Sequence, residues 1–293
     1  MPAKAKAPSP RVLRAKSFAR LPWLVHGFST RVGGVSEGFG RKGDLNLGAS
    51  EKETRAAVER NQARFLDEIG ARSGARRWPV VTLKQVHSDA IHVIERAPKR
   101  PLTGDGVLTR EPGILLAVQT ADCIPVLVAD PENRAVGAFH AGWRGTVARV
   151  VEKGIGRMRK EFGSDPAKLV AAIGPGARAC CYEVGRELRD RFESQFSYAA
   201  ELFHDVYKSD PVREKYPLLF LTARAPGHSE EIGPRLHLDL AAANRRQLED
   251  AGLLPANISD TGVCTVCRPR QFFSYRRDGK TGRLWGAIGA RRR

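Results

Sequence analysis

The apolar positions of this 293-residue chain follow two different periods. In ETRAAVERNQARFLDEIG (53–70) they recur at helical spacing and Gly70 supplies a stop, which predicts a surface helix. The same spacing predicts helices in GTVARVVEKGIGRMRKEFG (145–163), VGRELRDRFESQF (184–196) and HLDLAAANRRQLEDAGL (237–253). Between them lie short, nearly continuous apolar runs: GILLAVQTADCIPVLVAD (113–130), AVGAFHAGW (135–143) and KLVAAIGP (168–175). Runs of this kind suit strands covered on both faces. Two further β-rich runs flank Gln85, Val86 and His87 within residues 78–95, and Asp278-Gly279 between β-prone flanks predicts a hairpin. The pattern reads as α/β: a single mixed-sheet domain with flanking helices over residues 21–293, without repeat or dividing linker.

Two stretches break the pattern. GFSTRVGGVSEGFGRKGDLNLG (27–48) is dense in Gly, Ser, Asp and Asn, the chemistry of a loop with many available N–H groups. Residues 205–234 are rich in Pro, Lys and Glu and read as an excursion or lid.

Charge sharpens the picture at the ends. Of the net +17, about +12 comes from residues 1–20 and 276–293. The Lys/Ala/Pro/Ser composition of MPAKAKAPSP favours disorder, so residues 1–20 read as a basic disordered tail. Two solvated basic tails account for the excess. Loose, salt-dependent nucleic-acid contact is the other reading, with no specific nucleic-acid partner implied. No run approaches eighteen apolar residues and no apolar leader is visible, so the expectation is a cytoplasmic protein without membrane contact.

The polar interruptions of the apolar runs carry the chemistry. His87, Cys123 and His140 each break or end such a run, and one thiolate with two imidazoles is a usual zinc set that leaves a fourth position open. Their spacings, 36 and 17 residues, match no local metal-binding signature. Cys123 and His140 equally suit a thiol nucleophile and its base, since both chemistries use the same residue types. Cys264-x-x-Cys267 is a competing metal or redox candidate but lacks a second pair at finger spacing and so reads as structural or incidental, while of the adjacent Cys180 and Cys181 one at most would be functional. Arg31, inside the Gly/Ser loop, and Arg144, where a helix follows the His140 strand, are candidates for binding phosphate. Neither a dinucleotide fingerprint nor a P-loop is present.

KQVHSD, GDGVLT, QTADCIPVLVAD, GAFHAGWRGT, AAIGPGARACCYEVG, HLDLAAANRRQL and FFSYRRDGKTGR, in that order from about residue 27 to 289, together resemble the laccase-domain family. Its members are also known as polyphenol oxidases, peptidoglycan editing factors (YfiH-like) and purine nucleoside phosphorylases. The resemblance implies one α/β domain and a zinc held by His87, Cys123 and His140. It implies phosphorolysis of adenosine, inosine, guanosine and methylthioadenosine, with adenosine deamination besides. Purine nucleosides and phosphate are then the partners, and the oligomeric state is open. Within that reading Asp122 is the candidate proton shuttle or a partner orienting a ligand, Arg31 and Arg144 hold phosphate, and Ser29 and Asn46 reach the sugar or phosphate. The alternative is a cytoplasmic Cys/His hydrolase that edits peptidoglycan precursors. Multicopper oxidation fits poorly, because seven histidines are too few for it.

Overall fold

The structure, a computed structural model, describes residues 8–207 and 234–292. Their contacts divide the chain into two compact units, residues 1–178 with 240–293, and residues 179–239.

The larger unit is built around two main sheets. The strands of these two sheets in chain order are β1 (Val12–Leu13), β2 (Leu24–Ser29), β3 (Val80–Val81), β4 (Ile91–Val93), β5 (Gly106–Thr109), β6 (Leu115–Thr120), β7 (Ile124–Ala129), β8 (Val136–Ala141), β9 (Val170–Ile173), β10 (Ile258–Asp260) and β11 (Leu284–Ala290). One sheet runs β1-β2-β11-β6-β3 and the other β10-β9-β7-β8-β5-β4, with parallel and antiparallel pairs in both. The α/β class read from the sequence holds.

Alternation along the strands shows how the sheets are covered. On β6, Leu116 and Val118 join Phe28 and Ile288 in a core shared with Leu127, Val136, Ala138 and Val170 of the other sheet. Leu115 and Ala117 point the other way, into a second core with Phe65, Leu66 and Ile69 of helix α1 (Arg55–Ile69) and with Trp285. Both faces of β6 are therefore dry, which is why its sequence is continuously apolar rather than alternating. Helix α1 starts at Thr54, whose hydroxyl accepts from the Ala57 N–H, and stops at Gly70 with φ 71°.

Downstream of β8 the chain forms α2 (Trp143–Val147) and α3 (Val150–Phe162), not the single helix expected over 145–163. Arg149 interrupts it at φ 61°, in the left-handed region. Thr146 is held just before the break: its hydroxyl accepts from Asn244 and its carbonyl from Gln247. The smaller unit carries α4 (Arg186–Glu193), a ring cluster of Phe192, Phe196 and Phe203, and an antiparallel pair of Phe203–Val206 with Arg235–Leu238. Residues 208–233, the core of the expected lid, lie outside the described residues. Asn244 and Gln247 belong to α5 (Leu240–Asp250), part of the larger unit.

Two further expectations change. The disordered tail does not extend to residue 20: Val12 and Leu13 pair with Phe28 and Ser29, while Ala15 and Phe18 are buried. Apolar side chains at these four positions outweigh the basic composition around them, and residues 1–7 lie outside the described residues. Asp278-Gly279 also makes no hairpin. Ser274 caps a one-turn helix, α6 (Tyr275–Asp278), and Gly279 ends it with φ 63°.

Candidate metal centre

The three interrupting side chains meet. His87 follows a short strand segment, Cys123 sits in the break between β6 and β7, and His140 lies near the end of β8. Antiparallel pairing of β7 with β8 sets Ile124 opposite Ala141 and so brings Cys123 across from Gly142. One ligand atom from each of His87, Cys123 and His140 lies within 4.8 Å of the others, a group able to hold a metal ion. The Cys123 Sγ to His87 Nε2 distance is 3.8 Å. Tetrahedral coordination with a metal–sulfur bond of about 2.3 Å and a metal–nitrogen bond of about 2.0–2.1 Å requires a separation of about 3.6 Å, so the donor set fits. His87 is exposed while His140 is buried, which leaves one side of the cluster open to solvent.

Gly142 makes this approach possible. A Cβ there would lie 2.8 Å from His87 Cδ2 and 3.0 Å from Cys123 Sγ, too close for either to remain in place.

Two carboxylates hold the ligand-bearing backbone, and only one of them stood out in the sequence. Asp105, in the loop before β5, is fully buried and accepts five hydrogen bonds. Its Oδ1 takes the His87 amide at 3.0 Å and His140 Nδ1 at 2.8 Å. Its Oδ2 takes the Val86 amide at 3.2 Å, the Ser88 amide at 2.7 Å and the Ser88 hydroxyl at 2.8 Å. The bond to Nδ1 fixes the imidazole tautomer and leaves Nε2 of His140 as the donor toward Cys123. The carboxylate's bonds to the amides of Val86, His87 and Ser88 also hold His87 at φ 60°, a strained conformation for a non-glycine residue. A lone acid between two glycines in GDGVLT was the available signal. Gly106 is needed there, since a Cβ would meet Ile91 at 2.8 Å and Phe139 at 3.0 Å.

Asp122, at φ 98°, is the second carboxylate. It accepts from the Thr265 hydroxyl at 2.6 Å, the Ser274 hydroxyl at 3.0 Å and the Arg276 amide at 2.6 Å. The bonds from Ser274 and Arg276 tie the residue before Cys123 to the start of α6, and the one from Thr265 ties it to the segment after β10.

The electrostatics follow from this geometry. Burial pushes the Cys123 thiol up, but His140 and His87 beside it outweigh burial and lower it. Burial pushes the His140 imidazole down, and the Cys123 sulfur and the Asp105 carboxylate raise it overall. Burial likewise opposes ionisation of Asp105, and the bonds from His140 and Ser88 hold its carboxyl well below the usual range. The thiolate form that metal binding needs is thus already favoured.

The other sequence candidates sit differently. Arg31 is buried, ion-paired with Asp44, bonded to the carbonyls of Pro269 and Phe39, and stacked on Phe273 at 4.6 Å. Ser29 Oγ, 1% exposed, accepts from the Trp285 amide at 2.8 Å. Asn46 closes a turn onto Gly48 and accepts from the Arg283 amide. Arg144 alone among these four is exposed, its guanidinium 4.4 Å from the Trp143 ring centroid. Cys264 is buried beside Gly176 in a parallel bridge, and Cys267 is exposed.

Known proteins resemble the chain over nearly its whole length. The chain is 36% identical to the purine nucleoside phosphorylase of Deinococcus radiodurans over 291 residues, covering 98% of this chain and 96% of that one. It is 30% identical to the Mus musculus purine nucleoside phosphorylase LACC1 over 87% of this chain, and spans 53% of that longer protein. Among solved structures, the Bacillus licheniformis protein YfiH superposes with a TM-score of 0.77 at 27% identity, covering 98% of both chains. Residues 25–291 match the multi-copper polyphenol oxidoreductase laccase family, and the chain belongs to it.

Proposed function

We propose that the protein is a zinc-dependent purine nucleoside phosphorylase that also deaminates adenosine. The observation that carries the proposal is the His87–Cys123–His140 cluster, with its open side and with His140 oriented by Asp105. The names of the related proteins support the substrate class.

A zinc ion bound there would supply Lewis-acid polarisation of a substrate oxygen or water. The chain's own residues do the rest. Asp105 keeps the proton of His140 on Nδ1, and Cys123 offers a thiolate whose charge two imidazoles balance. In phosphorolysis a phosphate oxygen bonds to C1′ as the C1′–N9 bond breaks, its electron pair leaving with the purine. Arg144, exposed just beyond His140, is the guanidinium proposed to hold the phosphate. Deamination replaces the C6 amino group by the oxygen of water and releases ammonia. Arg31, Ser29 and Asn46 are assigned to holding the segment 27–48 in shape, since their polar atoms are already engaged. Asp122 is assigned to positioning Cys123, because Thr265, Ser274 and Arg276 occupy its carboxylate.

The test is metal analysis of the purified protein beside an adenosine assay with and without phosphate. The proposal expects about one zinc per chain, adenine only when phosphate is present, and inosine in either case. Cys123→Ala should lose both metal and turnover; full activity in that variant refutes the zinc mechanism. The lowered Cys123 thiol beside His140 also suits a nucleophilic hydrolase. Activity that resists chelators and is destroyed by iodoacetamide would favour that alternative.

A further inference from the structure

Among the described residues the fold leaves four large hydrophobic side chains well exposed: Val86 at 47%, Tyr207 at 69%, Leu254 at 52% and Tyr275 at 61%. Two of them border the metal centre. Val86 immediately precedes His87, and its amide is bonded to Asp105. Tyr275 lies between Ser274 and Arg276, the two residues that bond the Asp122 carboxylate next to Cys123.

Tyr275 is held in place by the backbone and left open at the side chain. Its position is fixed by the two Asp122 bonds, by the cap that Ser274 makes to the Arg277 amide, and by its own carbonyl, which accepts from the Gly279 amide. Its ring and phenol engage no partner among the described residues. The Trp143 ring, in contrast, is already covered by the Arg144 guanidinium. A rigidly mounted aromatic face turned to water beside a ligand cluster is what a flat ring uses to dock: the platform loses little freedom on binding, and both faces shed water.

We propose that Tyr275 is the stacking platform for the purine base, with Val86 supplying the apolar contact on the His87 side. The inference rests on the phosphorylase reading and deepens it by naming a residue that sets substrate affinity. The Asp122 clamp then has a second role, because it fixes the distance from the platform to Cys123 and hence from the ligand cluster to the reacting C6 or C1′ of the docked nucleoside. Stacking tolerates any base with a π-face, so one platform suits adenosine, inosine and guanosine alike.

The experiment measures phosphorolysis of adenosine and inosine, together with zinc content, for the full-length wild type, Tyr275→Ala, Tyr275→Phe and, as a control remote in sequence, Leu254→Ser. Stacking worth about 1–3 kcal/mol per base corresponds to a rise in KM of about 5- to 150-fold in Tyr275→Ala. Zinc content and the KM for phosphate should stay at wild-type values. Tyr275→Phe should recover the nucleoside KM to within about threefold, since the ring and not the hydroxyl carries the contact. Unchanged nucleoside KM in Tyr275→Ala overturns this inference alone. A comparable KM rise in Leu254→Ser, or loss of zinc in Tyr275→Ala, overturns it by showing a global effect. A wild-type protein that neither binds nor cleaves purine nucleosides overturns the phosphorylase reading and this inference with it.

Discussion

Replacing Asp105 by asparagine tests how far one buried carboxylate governs the metal centre. The substitution keeps the shape and removes one of two acceptor oxygens. If the new amide NH2 faces Ser88, it points donors at the amides of Val86 and Ser88. If it faces His140, it opposes the Nδ1 proton and the His87 amide instead, and favours the tautomer with the proton on Nε2, the atom needed as ligand. Either way two N–H bonds to a charged acceptor are lost, at about 1.5–3 kcal/mol each, so metal-free stability should fall by about 3–6 kcal/mol. Loss of a partner that orients a metal-binding histidine lowers metal affinity by about 10–100-fold. Competition against a chromophoric chelator measures the affinity, and urea unfolding of the metal-free protein measures the stability. An Asp105→Asn protein with wild-type zinc affinity would refute the claim that this carboxylate sets the orientation of His140.

Three further variants probe other parts of the argument. Gly142→Ala places a methyl group against His87 and Cys123 and should cost about 1–3 kcal/mol, appearing chiefly as weakened zinc binding in the same competition assay. Arg31→Ala leaves Asp44, 1% exposed, buried without its cation, and should lower the unfolding free energy in urea by about 3–5 kcal/mol. Wild-type stability with a raised phosphate KM would return Arg31 to the phosphate site. His26 accepts the Ala15 amide on Nε2, and burial, with Arg14 nearby, pushes its imidazole down to about 4 from 6.5. The unfolded chain therefore binds the proton first, so this group's contribution is complete above pH 6.5 and is lost as pH falls through 4, at about 3 kcal/mol in total. His26→Gln should flatten the acid side of the stability profile measured by urea unfolding between pH 7 and 4; an unchanged profile would refute the assignment.

What the sequence made legible was whatever has a local signature. Thr54 and Gly70 bracket α1 because caps act on neighbouring atoms, and the apolar runs of β6, β7 and β8 report burial on both faces. Cys123 and His140 were visible as polar breaks at the ends of dry strands, and His87 as one between two short β-rich runs. Asp105 was missed because its role depends on partners 17 to 35 residues away in sequence, which no period or spacing encodes. Arg31 misled for a related reason: an arginine in a Gly-rich loop looks available to an anion, whereas Asp44, thirteen residues on, already occupies it. The hairpin at Asp278-Gly279 failed because a distant carboxylate, Asp122, fixes the Arg276 amide and the preceding serine favours a helical turn. The break at Arg149 was hidden likewise, since Asn244 and Gln247 engage Thr146 across about a hundred residues.

Asp105 and His140 are joined twice, by the His140 amide to the Asp105 carbonyl at 2.8 Å and by Nδ1 to the carboxylate at 2.8 Å, directly beyond the Gly106–Phe139 pair of β5 and β8. The imidazole is thus aimed by the alignment of two strands, and sliding either by one residue would turn one partner to the opposite face of the sheet. Under the proposed zinc reading, metal uptake would double as a proofreading signal for this alignment: a refolded population that is compact but misaligned would have its secondary structure and lack the metal.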